Sequence, residues 1–270
     1  MNANKALWEK GDFTTIAATM RESGAAFVAD LSIAPGMKVL DLGCGDGNTA
    51  IPAAERGAEV LGVDIASNLV RAGQRRAKER NLAQCRFEEG NAAQLDGVKS
   101  ASFDLVVSVF GAMFAPRPTE VAREMARVAR PGGRIVMGNW IPGDPTLVAQ
   151  ILKISAAYSP PPPEGFVSPM RWGVEADVIE RFGAAGIGAD KISFSKERWM
   201  FDFPGAPAAF LDVFRRFYGP TMNAFEAAAA QNRDGELLRE LDALFTRQNI
   251  ATEPGRTQIP ANYLRVTVAV

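Results

Sequence analysis

The chain has 270 residues, 47% apolar and 23% charged, with a formal net charge of −1, which is room for one large α/β domain or two small ones. A balance so close to neutral gives no overall pull toward nucleic acid or an anionic membrane. The chain contains no histidine, and its two cysteines, Cys44 and Cys85, form neither a disulfide framework nor a ligand set, so a histidine-based zinc site or catalytic triad is excluded and no metal is expected.

In chain order, Glu9 and Asp12 fall where the apolar core of a secretion signal would run. No stretch reaches the ~18 uninterrupted apolar residues of a membrane span, so a cytoplasmic protein without membrane contact is expected. Residues 12–31 read as a helix with Ile16, Met20, Phe27, Val28 and Leu31 on its apolar side, ending at the turn "IAPGMK". The period then changes. The strand-like runs "KVLDLG", "EVLGVD", "CRFEE", "FDLVVSVF" and "RIVMGNW" alternate with predicted helices at 47–56, 67–80 and 118–130. That alternation predicts right-handed crossovers and a mostly parallel sheet with helices on both faces. Ser67 is expected to cap the second of these helices, Pro118 suits the first turn of the third, and "RPGG" at 130–133 ends it.

After Trp140 a helix leads into four consecutive prolines, which predict an extended surface segment. A helix near 174–185, a strand at 191–203 and a helical section at 206–250 follow. "NYLRVTVAV" closes the chain as a strand. One domain over 1–270 is expected, with its core at about 36–140, 190–203 and 262–270. Cap or lid segments are expected at about 1–34, 141–185 and 204–258.

The stretch "VLDLGCGDGNTA" puts Asp41, Gly43, Gly45 and Gly47 at a strand-to-helix turn. Glycines there let a ligand approach the backbone and its free N–H groups. A dinucleotide fingerprint would need glycine at position 48, where the chain has Asn48. Asp41 and Asp46 on either side of the turn would repel a pyrophosphate and favour a cationic ligand such as S-adenosylmethionine, a sulfonium and an ammonium on one molecule. Asp64, ending the second strand, is placed to accept hydrogen bonds from both ribose hydroxyls.

These motifs, with "EEGNAAQL", "SFDLVVSVFGAMF" and "ARPGGRIVMGNW" in order, resemble the class I S-adenosylmethionine-dependent methyltransferases over about residues 36–140. "VFGAMFAP" and "RPGGRIVMGNW" resemble a bacterial subgroup acting on small molecules. The resemblance implies a Rossmann-like α/β fold with a seven-stranded, mostly parallel sheet and helical cap insertions. It further implies S-adenosylmethionine as cofactor, with S-adenosylhomocysteine as product. Asp41 would lie near the methionine amino group and the backbone of Gly43, Cys44 and Gly45 along the methionine, with Asn48 nearby. Asp64 and Ile65 would lie at the ribose, Asn91 and Ala92 at the adenine, and Ser108, Val109 and Phe110 beside the sulfonium. Asn91 departs from the commoner Asp, but its amide oxygen can still accept from the adenine amino group. Cys44 reads as a small residue filling the turn, with no histidine or lysine nearby in sequence to make it a thiolate.

For the acceptor, candidate contacts are Trp8, Phe13, Phe110, Met113, Trp140, Tyr158, Arg171 and Trp172, and the dense aromatics between Trp199 and Phe225 suggest an apolar cap. The basic runs "RAGQRRAKER" and "REMARVARPGGR" lie on amphipathic helices without interleaved aromatics, so a small-molecule acceptor is expected and nucleic acid is not. No catalytic side chain is assigned. Without histidine, the acceptor proton can go to a carboxylate or tyrosine, go to water, or be absent from an acceptor already nucleophilic. The atom methylated, and monomer versus homodimer, stay open. The alternatives are a non-methylating enzyme of this fold that binds S-adenosylmethionine, and a nonenzymatic partner subunit.

Overall fold

The computed structural model describes residues 2–270. Seven strands form one sheet in the order β3-β2-β1-β4-β5-β7-β6. β1 (Lys38–Leu42), β2 (Glu59–Asp64), β3 (Cys85–Glu89), β4 (Phe103–Val109) and β5 (Ala129–Trp140) run parallel. β7 (Thr257–Ala269) inserts antiparallel between β5 and β6 (Ile192–Phe203). This is the expected α/β architecture. The central strands are covered on both faces, so Leu40, Leu42, Leu105 and Val106 are wholly buried and the strands read as nearly continuous apolar runs.

The helices are α1 (Ala3–Glu9), α2 (Phe13–Ala18), α3 (Arg21–Ala29), α4 (Ala50–Glu55), α5 (Ser67–Glu79), α6 (Pro118–Val128), α7 (Leu147–Ala156), α8 (Glu175–Gly183), α9 (Pro207–Phe217), α10 (Gly219–Ala229) and α11 (Asp234–Gln248). The last three pack on one another, and α10 and α11 also on α7, forming a helical layer between the last two strands in sequence.

Several boundaries differ from the sequence reading. The helix expected at 12–31 is broken in two: both the N–H and the hydroxyl of Thr19 bond to the Ile16 carbonyl, which closes α2 early. The helix expected from 47 begins at Ala50, because the glycine turn continues through Thr49. Ser67 does not cap α5. Ala66 holds the cap position, while the N–H and hydroxyl of Ser67 both donate to Glu9 Oε1, at 2.9 and 2.7 Å. β7 starts at Thr257 rather than near 262, because it pairs along the whole of β6; Pro260 is tolerated where β7 has β6 as its one neighbour.

Candidate functional site

Because β1 to β4 are parallel, their carboxyl ends meet at one edge of the sheet, and β1 and β4 flank the point where strand order reverses, the usual ligand crevice of open α/β sheets. A deep cavity opens there, walled by the turns after these strands on one side and by α1, α2, α7 and α9 on the other.

The turn after β1 is shaped by a close contact with the loop after β4. A Cβ on Gly43, whose φ is +70°, would lie 2.6 Å from Gly111 Cα, and one on Gly111 would lie 2.1 Å from the Gly43 carbonyl oxygen. Only two glycines allow this approach. It brings Phe110 to the cavity in a left-handed conformation, φ 59°, that a bulky residue rarely adopts. The Phe110 ring is held by stacking on Trp140, centroids 3.5 Å apart and 7° from parallel.

Three carboxylates reach this edge. Asp41 is 1% exposed, and burial raises its pKa from 3.8 to about 8; the Ala50 amide only partly offsets that, and nearby Asp64 adds to the rise. Its Oδ2 is buried without a hydrogen-bond partner. Asp64 accepts from the N–H groups of Gly45 (2.8 Å) and Ala66 (2.9 Å), yet burial still pushes its pKa up. Asp46 corrects the sequence reading: it does not present free charge to a ligand, because Arg21 at 2.8 Å and Arg76 at 3.3 Å neutralise it. The acidic groups the cavity offers a ligand are therefore Asp41 and Asp64. Among the described residues no lysine or arginine lines it.

Of the candidate residues, the structure gathers Asp41, Gly43, Cys44, Gly45, Asn48, Asp64, Ile65, Asn91, Ala92 and Val109 into the cavity wall, together with Trp8, Phe13, Phe110 and Trp140. Two of these are partly committed elsewhere. Asn48 donates to the Ala17 carbonyl and accepts from Arg21, both at 2.8 Å, so its amide pins the N-terminal helices to the turn. The Asn91 oxygen already accepts from Ala93 N–H at 3.0 Å, leaving one lone pair for a ligand.

Five candidates lie outside the wall. The Ser108 hydroxyl bridges β4 to the Leu42 carbonyl (2.6 Å) and the Ala112 N–H (3.0 Å), a role internal to the fold. Met113 is buried in the core. Tyr158 donates to Glu240 at 2.6 Å, Arg171 pairs with Asp177, and Trp172 packs against Phe182 and beneath Arg181. The insertion after β5 thus contributes α7 residues to the cavity, not these aromatics.

The sequence reading named three rings of an aromatic belt, Trp8, Phe110 and Trp140, and missed its continuity. From Phe110 and Trp140 the aromatic contacts continue to Phe201 (6.3 Å), then to Phe214 (6.2 Å), Tyr218 (5.5 Å), Trp8 (6.1 Å) and Phe114 (4.9 Å), which lies four residues from the start. All seven rings line the cavity. Helical spacing gave a partial signal: Phe214 and Tyr218 are four apart and both line the wall, whereas Phe210 is wholly buried against Phe214 and Phe245. Trp199 also lines the wall, its indole N–H buried without a partner.

α1 bridges the two sides. Lys5 pairs with Glu89 at the end of β3, Glu9 binds Ser67, and Lys10 reaches Glu226 of α10 at 2.6 Å. No residue of α1 is fully buried.

A family model described as a methyltransferase domain matches residues 40–137. The chain is 34% identical over 247 residues to the uncharacterised protein Rv1403c of Mycobacterium tuberculosis, covering 90% of this chain and 85% of that one. It is 40% identical over 111 residues to nocamycin O-methyltransferase of Saccharothrix syringae, 40% of this chain and 39% of that one. Among solved structures, Haemonchus contortus phosphoethanolamine N-methyltransferase 2 matches all of this chain and 60% of its own, with TM-score 0.61 and 15% identity, a likeness of fold.

Proposed function

The chain belongs to the class I S-adenosylmethionine-dependent methyltransferases, and from that premise we propose that it transfers a methyl group to a small, neutral, apolar acceptor held inside the aromatic belt. The observation that carries this reading is the buried, unpartnered carboxylate oxygen of Asp41 in a cavity that no cationic side chain among the described residues lines. A buried carboxylate is costly unless paired, so the site favours a ligand bringing its own cation. Asp41 toward the amino group, Asp64 toward the ribose and Asn91 toward the adenine are the residues that would hold the cofactor. Thr49 lines the same wall with a hydroxyl that has no partner among the described residues. When bound, the cofactor supplies a methyl group already activated on a sulfonium.

The residues of the chain contribute chiefly position and dryness. The belt excludes water and confines the acceptor, and good alignment can recover roughly 7–11 kcal/mol of barrier. The cap-side wall offers no counter-charge to an anionic acceptor and no evident base. Burial pushes the Cys44 thiol and the Tyr218 phenol well above their ordinary pKa values, so neither takes a proton at neutral pH. The acceptor must then be nucleophilic in itself or lose its proton to water. Similarity to nocamycin O-methyltransferase supports a small-molecule acceptor.

The test is calorimetry of S-adenosylmethionine binding, followed by turnover of metabolite extracts with methyl-labelled donor. A wild-type protein that binds no donor ends this reading. Conversion of an acceptor without accumulation of S-adenosylhomocysteine would mark a non-methylating use of the fold.

A further inference from the structure

We propose that the Tyr218 hydroxyl orients the acceptor by donating a hydrogen bond to one of its oxygens, which makes Tyr218 a specificity-determining residue for neutral, planar, carbonyl-bearing molecules. The proposal rests on the methyl-transfer reading above.

The chain has three tyrosines. Two have their hydroxyls satisfied by carboxylates, Tyr158 by Glu240 and Tyr263 by Glu197. Tyr218 is only 6% exposed, and its hydroxyl has no partner among the described residues. Burial alone, with no neighbouring charge or hydrogen bond, raises its pKa. A largely buried phenol whose hydroxyl its own chain leaves to the cavity calls for a specific cause. Here the cause is position: Tyr218 is the joint between α9 and α10, and its ring lies against Trp8, Phe13 and Phe214 in the cap-side wall.

The polar groups suited to the cofactor, Asp41, Asp64 and Asn91, stand on the turns of the sheet, so the Tyr218 hydroxyl is left for the second ligand. The chemistry of that ligand follows from its surroundings. Trp199, which lines the same cavity, also has an indole N–H without a partner among the described residues, and it can only donate. A hydroxyl free to donate and the absence of a cationic side chain from the described wall suit an acceptor oxygen on a molecule without negative charge, and the belt of rings suits a flat one.

The experiment uses two probes with one bicyclic skeleton, 1-tetralone with a carbonyl and tetralin without. Their binding is read by quenching of the cavity tryptophans, with and without S-adenosylhomocysteine. Tyr218→Phe is expected to weaken tetralone about three- to tenfold, the worth of one neutral hydrogen bond, and to leave tetralin unchanged. It is also expected to leave S-adenosylhomocysteine affinity unchanged and not to lower the melting temperature. The proposal is overturned by an equal effect on both probes or no effect, by wild-type protein that binds neither, or by a lower melting temperature, which would reveal an intramolecular partner. Loss of S-adenosylhomocysteine affinity in the variant would overturn it too, by assigning the hydroxyl to the cofactor. Wild-type protein that fails to bind S-adenosylhomocysteine removes the methyl-transfer reading instead, and the tetralone comparison made without it keeps the two failures apart.

Discussion

Replacing Asp41 with asparagine keeps the shape of the side chain and removes its charge, and the structure sets what should follow. With a pKa of about 8, Asp41 in the ligand-free protein carries a proton in roughly nine of ten molecules at pH 7. Pairing with an ammonium requires the ionised form, so donor binding at pH 7 should release close to one proton, and affinity should fall about tenfold per pH unit below 8. The ligand's own α-amino group titrates near about 7.7–8.0, so above pH 8 binding should instead take up a proton. Affinity then peaks near pH 8, and proton release changes sign across the peak. Asp41→Asn should lose the acid limb and keep the alkaline one.

The same group makes a separate prediction for stability. Its folded-state pKa lies above the ordinary 3.8, so its contribution to folding is complete below about pH 4 and is lost as pH rises toward 8. The difference is on the order of 5 kcal/mol as an upper figure. Asp41→Asn should therefore gain stability relative to wild type as pH rises through that window. Calorimetry in buffers of different ionisation enthalpy measures the proton count, and denaturant melts from pH 5 to 8 measure the stability difference. Wild-type affinity that is flat from pH 6 to 8 with no proton released would refute the assignment of Asp41 to the cation.

Other predictions concern packing and tethering. Gly111→Ala forces a Cβ to 2.1 Å from the Gly43 carbonyl, so it should cost more than about 2 kcal/mol in denaturant melts and abolish donor binding; a near-neutral melt would show that the two turns can part. Ser67→Ala removes one hydroxyl bond to Glu9, so stopped-flow dissociation of S-adenosylhomocysteine should quicken a few-fold with little change in melting temperature, and an unchanged rate would show that α1 does not limit exit. Arg181 is 7% exposed, stacks 4.5 Å above Trp172, and makes no hydrogen bond or ion pair among the described residues. Arg181→Met should therefore be neutral or stabilising by melt, and a loss beyond about 1 kcal/mol would point to a hidden partner.

The sheet side of the cavity was more legible in the sequence than the cap side, for a physical reason. Asp41, Gly43, Gly45, Asp64 and Asn91 lie at or just beyond strand ends, and a parallel sheet brings successive strand ends to one edge whatever the helices do. Ser108 misled because its place at the end of β4 fits a ligand contact, while its hydroxyl is spent on the Leu42 carbonyl and the Ala112 amide. Asp46 misled because its neutralising partners, Arg21 and Arg76, lie 25 and 30 residues away in sequence. Tyr158, Arg171 and Trp172 were grouped with Trp140 because they follow it, but long insertions carry no register that says which side chains turn back to the sheet. Beyond Trp8, Phe110 and Trp140, the belt was visible only as an excess of aromatics between Trp199 and Phe225; what assigned Phe201, Phe214 and Tyr218 to the wall was the docking of the cap helices against the sheet.

α1 and the Lys10 that follows it are tied to the two sides of the cavity by Lys5, Glu9 and Lys10 as well as by the half-buried Trp8 ring. Exposed pairs of this kind contribute little each and weaken with ionic strength, whereas the sheet beneath is held by apolar burial that salt does not screen. The charged ties of this first helix and the apolar sheet therefore answer to different forces, and a rise in electrolyte loosens the former while leaving the latter in place.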